Sequence, residues 1–248
     1  MSSALGIDIG GTGIKAALVD TSQGKLTTEL KYVKTPAMEA PDELAQHLAG
    51  LIGEFNWEGP VGIGFPGVVI NGKIFSAAHL SDKWIKADAR AVFAQAFPNK
   101  TAILNDADMA GIAEMSFGAG IGMNQPEVCS VLMLTFGTGI GSALFTGGKL
   151  VRNTELGHMQ VGSDKAENQA SAKLKTDLNL SWDDWGERVN RVLNEIEMLF
   201  SPELFIIGGG VSENFDKFSH TLKVRAHILP AHFKNDAGLI GAAIAALH

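Results

Sequence analysis

LGIDIGGTGIK, residues 5–15, reads as a strand that runs into a glycine turn and out again as a second strand over 14–19. The turn returns later in the chain. Gly11-Thr12-Gly13-Ile14 is identical to Gly137-Thr138-Gly139-Ile140, an offset of 126, and at the same offset Ala17 meets Ala143 and Leu18 meets Leu144. Half of the 248 residues is 124, so the offset is close to half the chain. The expectation is an α/β protein of two related lobes, each opening with strand, Gly-Thr-Gly turn and strand, facing one another across a cleft. Residues 1–120 form one lobe and 121–248 the other, with the boundary inside the linker-like 119–127.

Around these two turns the remaining elements fall into order. Strands are expected over 27–33, 61–65, 102–104, 128–134, 140–145, 149–151, 204–207 and 226–229. Asn71-Gly72 between apolar residues predicts a tight hairpin. Helices are expected over 43–55, 89–97, 107–117, 182–200 and 237–247. In the fourth, Trp185, Val189, Val192, Leu193, Ile196, Leu199 and Phe200 form one wide apolar face, either core or a dimer surface. The last is rich in Gly and Ala and suited to close packing on a sheet.

Composition excludes several classes. Lys plus Arg is 20 against 27 Asp plus Glu, so no basic excess is available to neutralise nucleic-acid phosphates. Apolar runs are short and broken by Gly or charge, which argues against a membrane partner. Cys129 is the single cysteine, so no internal disulfide and no multi-cysteine metal site can form; it reads as a buried strand residue. With no basic, apolar leader at the start, the cytoplasm is the expected compartment. The 29 glycines cluster in a few loops, the pattern of backbone that approaches a ligand at defined places.

Two matched glycine turns at half-chain spacing suit phosphate binding. Successive N–H groups in such a turn form a nest for phosphate oxygens, and the threonine hydroxyl adds a donor. In the first turn Gly10, Gly11, Thr12 and Gly13 are followed by Lys15, a positive charge. Asp8 precedes it and could hold Mg²⁺ directly or through water. Gly208-Gly209-Gly210 ends another buried strand and is a third candidate. There is no Walker A sequence, and Gly118, Gly120 and Gly122 follow a helix rather than a strand, which excludes a Rossmann turn.

Asn105-Asp106 lies where a short strand meets a helix. A carboxylate there can take a hydroxyl proton as phosphoryl transfer begins; equally, Asn and Asp are ordinary helix caps. Asp108 is a competing carboxylate. Glu155 and His158 in Glu-Leu-Gly-His offer acceptors and donors for sugar hydroxyls. Glu167, nine residues on, is either a further contact or a solvated loop charge.

Taken in order, residues 5–15, Leu104-Asn105-Asp106, 134–141, Glu155-Leu156-Gly157-His158 and Gly208-Gly209-Gly210-Val211-Ser212 resemble the ROK sugar kinases. Ser181-Trp182-Asp183-Asp184-Trp185 and 199–210 resemble the polyphosphate glucokinase branch of that family. The resemblance implies an actin/hexokinase-like fold of two ribonuclease H-like lobes. It implies phosphoryl transfer from polyphosphate, with or without ATP, to the 6-hydroxyl of glucose or a close hexose. By resemblance Asp106 is the general base, and Asn105, Glu155, His158 and Glu167 bind the sugar. Asp8, the turn from Gly10 to Gly13 and Lys15 bind phosphate with Mg²⁺. Gly137, Thr138 and Gly139 form the second phosphate turn, with Gly209 at the nucleotide end. A homodimer is expected.

The zinc-binding cysteines of many ROK proteins are missing, as in the polyphosphate glucokinases, so no zinc is expected. Lys15, Lys83, Lys86, Arg90, Lys149 and Arg152 are scattered and make no evident basic track for a long polyphosphate. The alternative within the family is an ATP-dependent hexose or N-acyl-hexosamine kinase. A sugar-sensing ROK regulator would need a DNA-binding segment ahead of the first strand. An actin-like ATPase would not need the Glu155/His158 pair, and a catalytically dead scaffold would not need Asp106.

Overall fold

The computed structural model describes residues 2–35, 40–78, 80–125, 127 and 130–248. Two compact units are present: Met1–Ala113 with Asp236–His248, and Glu114–Asn235.

In the first unit β1 (Ser3–Ile9) and β2 (Gly13–Asp20) form an antiparallel hairpin around the first glycine turn. β3 (Lys25–Leu26) and β4 (Lys31–Lys34) both pair with β2. The strand expected over 27–33 is thus interrupted, and hydroxyl chemistry is the cause. Leu18 N–H donates to Thr28 Oγ1, and Thr27 donates to the Leu18 carbonyl through both its N–H and its Oγ1, so side chains replace ladder bonds at the break. After α1 (Pro41–Gly53) comes β5 (Val61–Phe65), parallel to β1. Both faces of β5 are buried, as a central parallel strand requires. β6 (Val69–Ile70) and β7 (Lys73–Ile74) make the expected hairpin, with Asn71 at φ 53° and Gly72 at φ 82°. α2 (Ala89–Ala96), capped by Asp88 accepting from Ala91 N–H, leads to β8 (Thr101–Asn105), parallel to β5. α3 (Asp106–Phe117) follows at once, and the division between the units falls inside it.

The second unit repeats the plan. β9 (Val131–Phe136) and β10 (Ile140–Thr146) form the hairpin, and β11 (Lys149–Val151) extends it. β12 (Gln160–Val161) and β13 (Asp164–Lys165) make a small hairpin before α4 (Ala166–Ala170) and α5 (Ala172–Asp177). α6 (Trp182–Phe200) precedes β14 (Leu204–Gly208) and β15 (His227–Pro230). Strand order is β3-β2-β1-β5-β8 in one sheet and β11-β10-β9-β14-β15 in the other, with the same parallel and antiparallel pairings. The internal repeat is therefore a repeat of topology. Residues 128 and 129, including the single cysteine, lie outside the described residues, and β9 begins at Val131.

The division differs from the expected one in two places. It falls between Ala113 and Glu114 rather than within 119–127, and the final helix α7 (Ala237–Ala245) belongs to the first unit. Close backbone approach fixes α7 there. A Cβ on Gly6 of β1 would lie 2.0 Å from the Leu239 carbonyl oxygen, and one on Gly62 of β5 would lie 1.8 Å from that of Ala242. On the other side a Cβ on Gly241 would lie 1.6 Å from the Met109 carbonyl oxygen of α3. Three glycines thus let one helix fit between a sheet and another helix.

Gly62→Ala is accordingly expected to destabilise the protein by about 3 kcal/mol, because backbone must move on both sides of the contact. Gly50→Ala, on an exposed turn of α1 where a Cβ meets nothing within 4 Å, is expected to stabilise it by up to about 1 kcal/mol. Urea unfolding of both variants checks the pair; equal midpoints would refute the packing argument.

Each unit has an aromatic nucleus. Trp84 packs edge-on to Phe65 and against Phe93 in the first. Trp185 packs edge-on to Phe136 and Phe218 in the second, and its indole N–H donates to the Ala170 carbonyl. Ser181 caps α6 by accepting from Asp184 N–H. The face of α6 from Trp185 to Ile196 is buried as expected, but Leu199 is 63% and Phe200 38% exposed, so the buried stripe stops a turn early. Among the described residues no helix is long and apolar enough to cross a membrane.

Candidate active site

The candidate residues gather into two groups, one in each unit. In the first, strand pairing aligns the charges: Asp8 of β1 stands opposite Lys15 of β2. Directly opposed residues share a face of the sheet, so the two lie on one side. The Asp8 carboxylate lies against backbone. A Cβ on Gly238 would be 2.7 Å from Asp8 Oδ2, and one on Gly64 would be 3.4 Å from Asp8 Oδ1 and 3.5 Å from the Asp106 Cα. Gly64 and Gly238 therefore leave room for Asp8, and Asp106 begins on the other side of Gly64. Lys15 Nζ is 3.7 Å from Asp236 Oδ1. Burial pushes the Asp8 carboxyl up to about 6; Lys15 pulls it down and Asp236 pushes it further up. Asp236 is a site residue that sequence reading missed. It lies some 220 positions from Lys15, and nothing local marks it.

The turn between these strands closes through Gly10 N–H donating to the Gly13 carbonyl at 3.0 Å. Gly11 and Thr12 form its exposed tip.

Asn105 and Asp106 both meet the start of α3, in different ways. Asn105 Oδ1 accepts from the N–H groups of Ala107 at 2.9 Å and Asp108 at 3.1 Å, while its Nδ2 donates to the Gly67 carbonyl at 3.2 Å. Buried Asn105 is the cap of α3 and the tie between β8 and the loop after β5. Asp106 is partly exposed, and its Oδ1 accepts from Ala107 N–H at 2.8 Å. Its carboxylate sits at a helix N-terminus, where negative charge is favoured. Asp108 is fully buried.

In the second unit the turn spans three residues instead of four. Gly137 N–H donates to the Gly139 carbonyl at 3.0 Å, and Lys173 N–H donates to the Gly137 carbonyl at 3.0 Å. Its chemistry differs from the first: the offset of 126 maps Asp8 to Leu134 and Lys15 to Gly141. Instead a carboxylate comes from outside. A Cβ on Gly139 would be 2.7 Å from Glu167 Oε2, so the absence of a side chain there admits Glu167. Glu167 Oε1 in turn lies 3.3 Å from His158 Nε2. Glu155 joins them electrostatically. Its carboxyl is raised by burial, pulled down by His158 and raised by Glu167. The structure thus unites Glu155, His158 and Glu167 at the second turn, and Glu167 is more than a solvated loop charge. Gly209, at φ 80°, lies beside the start of the same turn: a Cβ there would be 2.4 Å from the Phe136 carbonyl oxygen.

Two further residues missed from sequence hold this group. Buried Ser142 of β10 donates through Oγ to the Thr154 carbonyl at 2.7 Å and accepts from Leu156 N–H at 3.1 Å, while Thr154 Oγ1 donates to the Ser142 carbonyl at 3.0 Å. A Cβ on Gly157 would sit 2.1 Å from the Ile140 carbonyl oxygen. Hydroxyls and one close glycine contact thereby fasten the segment carrying Glu155 and His158 to the sheet.

A family model described as the ROK family matches residues 4–173. The chain belongs to the ROK family. Among curated ROK relatives it is 42% identical over 243 residues to a polyphosphate glucokinase of Mycobacterium tuberculosis (strain CDC 1551 / Oshkosh), covering 98% of this chain and 90% of that protein. Among solved structures it superimposes with a TM-score of 0.93 on the inorganic polyphosphate/ATP-glucomannokinase of Arthrobacter sp. strain KM, at 41% identity and full coverage of both chains. The ROK family glucokinase of Streptomyces griseus, solved with glucose and AMPPNP, shares the fold at a TM-score of 0.83 and 23% identity, with 99% of each chain covered. The α/β fold is the actin/hexokinase-like fold of ROK sugar kinases.

Proposed function

We propose that this protein is a glucokinase that transfers a phosphoryl group from inorganic polyphosphate, and also from ATP, to the 6-hydroxyl of glucose. The observation that carries the reading is 42% identity across nearly the whole chain to a protein named polyphosphate glucokinase. The full-length likeness to a polyphosphate/ATP-glucomannokinase supports it and adds mannose as an acceptor to test.

In this reading Asp106 takes the proton of the 6-hydroxyl as its oxygen bonds to the terminal phosphorus of the donor. The bridging P–O bond breaks and the shortened donor leaves with its electron pair. Asn105, Glu155, His158 and Glu167 orient the sugar hydroxyls; for Asn105 only the amide nitrogen is suited to this, since Oδ1 serves the helix. Lys15, Gly10, Gly11, Thr12, Gly13, Gly137, Thr138 and Gly139 stabilise charge on the moving group, and Gly209 serves the nucleotide end of ATP.

Mg²⁺ fits the residues of the first unit. It is held by one or two carboxylates together with donor phosphates, and a carboxylate raised by burial and by Asp236 is one that a cation would restore to its charged form. Asp8 would hold it, directly or through water. When bound it supplies charge neutralisation on the donor phosphates. The reading extends to a cytoplasmic homodimer, supported by the family resemblance and, for the dimer, by the exposed Met198, Leu199 and Phe200 that end α6.

The test is glucose 6-phosphate formation with Mg²⁺, with nucleotide-free polyphosphate or ATP as sole donor. Turnover with polyphosphate is the expected result. Turnover with ATP alone would overturn the donor assignment and move the protein to the ATP-dependent branch.

A further inference from the structure

The first glycine turn is braced from outside its own hairpin, by β4 and the residue after it. Strand register puts Asp8, Lys15 and Tyr32 in one row across β1, β2 and β4. Tyr32, the single tyrosine of the chain, shares the face of Asp8 and Lys15. Its ring lies over Gly13, where a Cβ would come within 2.1 Å of it, and its hydroxyl donates to the Thr12 carbonyl at 3.2 Å. Thr35, nearly buried, donates through Oγ1 to the Gly10 carbonyl at 2.7 Å and through its N–H to the Thr12 carbonyl at 3.3 Å. With Gly10 N–H on the Gly13 carbonyl, the carbonyls of Gly10, Thr12 and Gly13 are all engaged within the protein.

A turn containing Gly10, Gly11 and Gly13 can rotate its peptide planes at little steric cost. One orientation presents N–H groups to a phosphate; the flipped one presents carbonyl oxygens, which repel it. Engaging the carbonyls selects the first orientation before the donor arrives. We propose that Tyr32 and Thr35 are positioning residues for the phosphoryl donor, which hold the carbonyls of Gly10 and Thr12 and thereby turn the N–H groups of the same two peptide planes, those of Gly11 and Gly13, toward the phosphate chain. The inference rests on the reading of this turn as a donor site.

Tyr32→Phe keeps the ring over Gly13 and removes only the hydroxyl; Thr35→Val removes Oγ1; Thr35→Ser keeps it. Steady-state kinetics with polyphosphate and with ATP should show KM for the donor raised about five- to tenfold in Tyr32→Phe and Thr35→Val. KM for glucose should stay within about twofold, and Thr35→Ser should restore the donor KM. A fall in melting temperature with unchanged donor KM, or a parallel rise of both KM values, would overturn the assignment. Lys15→Ala separates this from failure of the underlying reading. If Lys15→Ala raises the donor KM and the other two do not, the brace alone is refuted. If Lys15→Ala also leaves it unchanged, the turn is not the donor site and the brace falls with it.

Discussion

Asp106→Asn is expected to bind glucose with near-normal affinity and to lose about 10²–10⁴ of its turnover, the usual contribution of a general base. The substitution is informative because capping of α3 rests chiefly on Asn105 rather than on the charge of Asp106. Asn105 receives the N–H groups of Ala107 and Asp108 and ties the loop after β5, so the start of α3 does not depend on ionisation of Asp106. Asparagine at 106 can still accept from Ala107 N–H as Asp106 does, so the backbone there is expected to hold. What disappears is a proton acceptor at a helix N-terminus. Asn105→Ala, by contrast, removes the side-chain acceptor of the Asp108 N–H and the donor to the Gly67 carbonyl, leaves the Ala107 N–H to Asp106 alone, and is expected to lower stability by about 1–2 kcal/mol. Kinetics at saturating glucose together with thermal melts distinguish the two: Asp106→Asn should be stable and slow, Asn105→Ala less stable. Near-normal turnover in Asp106→Asn would remove it from the chemistry.

The fold was legible where local patterning and tertiary pairing agree. The matched Gly-Thr-Gly turns predicted two related halves that each open with strand, turn and strand, and each half does open with that hairpin; the common strand order of the two sheets became visible only in the structure. Asn71-Gly72 named its own turn through two positive φ values. What stayed hidden depends on distance in sequence. The fit of Gly6 to the Leu239 carbonyl and of Gly62 to the Ala242 carbonyl of α7 joins residues far apart in sequence, so the return of the last helix to the first unit left no local sign beyond its small residues. Asp236 at Lys15 and Thr35 at Gly10 are likewise contacts of ordinary polar residues in ordinary loops. The candidate residues were easier to pick out than the residues that hold them. Asp8, Lys15, Glu155 and His158 stand in motifs whose order resembles a known family, whereas Ser142 and Thr154 look like any hydroxyls until their partners are known.

Asp8→Asn should make the protein more stable and nearly inactive, and the stability gain should appear only above a definite pH. Below 3.8, the ordinary value for this group, Asp8 is protonated in folded and unfolded chains alike, and the variant and parent should unfold together. Between 3.8 and about 6 the unfolded chain releases the proton while the folded chain retains it, so the parent loses stability as pH rises through this window. Above about 6 the folded chain carries the charge at a standing cost, which asparagine avoids. That cost is about 2 kcal/mol, since partial solvent access to Asp8 reduces the full value of the shift. Urea midpoints of both proteins from pH 4 to pH 8 should therefore diverge across this interval; parallel profiles would mean that the carboxylate is not strained by burial. The same substitution should cost about 10²–10³ in turnover, the scale of losing one preorganised charge contact in a transfer reaction. Mg²⁺ with polyphosphate should raise the melting temperature of the parent and leave that of the variant almost unchanged. A group that weakens the empty protein and is repaid only when cation and donor are present is maintained by its chemistry, not by packing. If Asp8→Asn proved both more stable and fully active, the donor reading of the first turn would lose its anionic half.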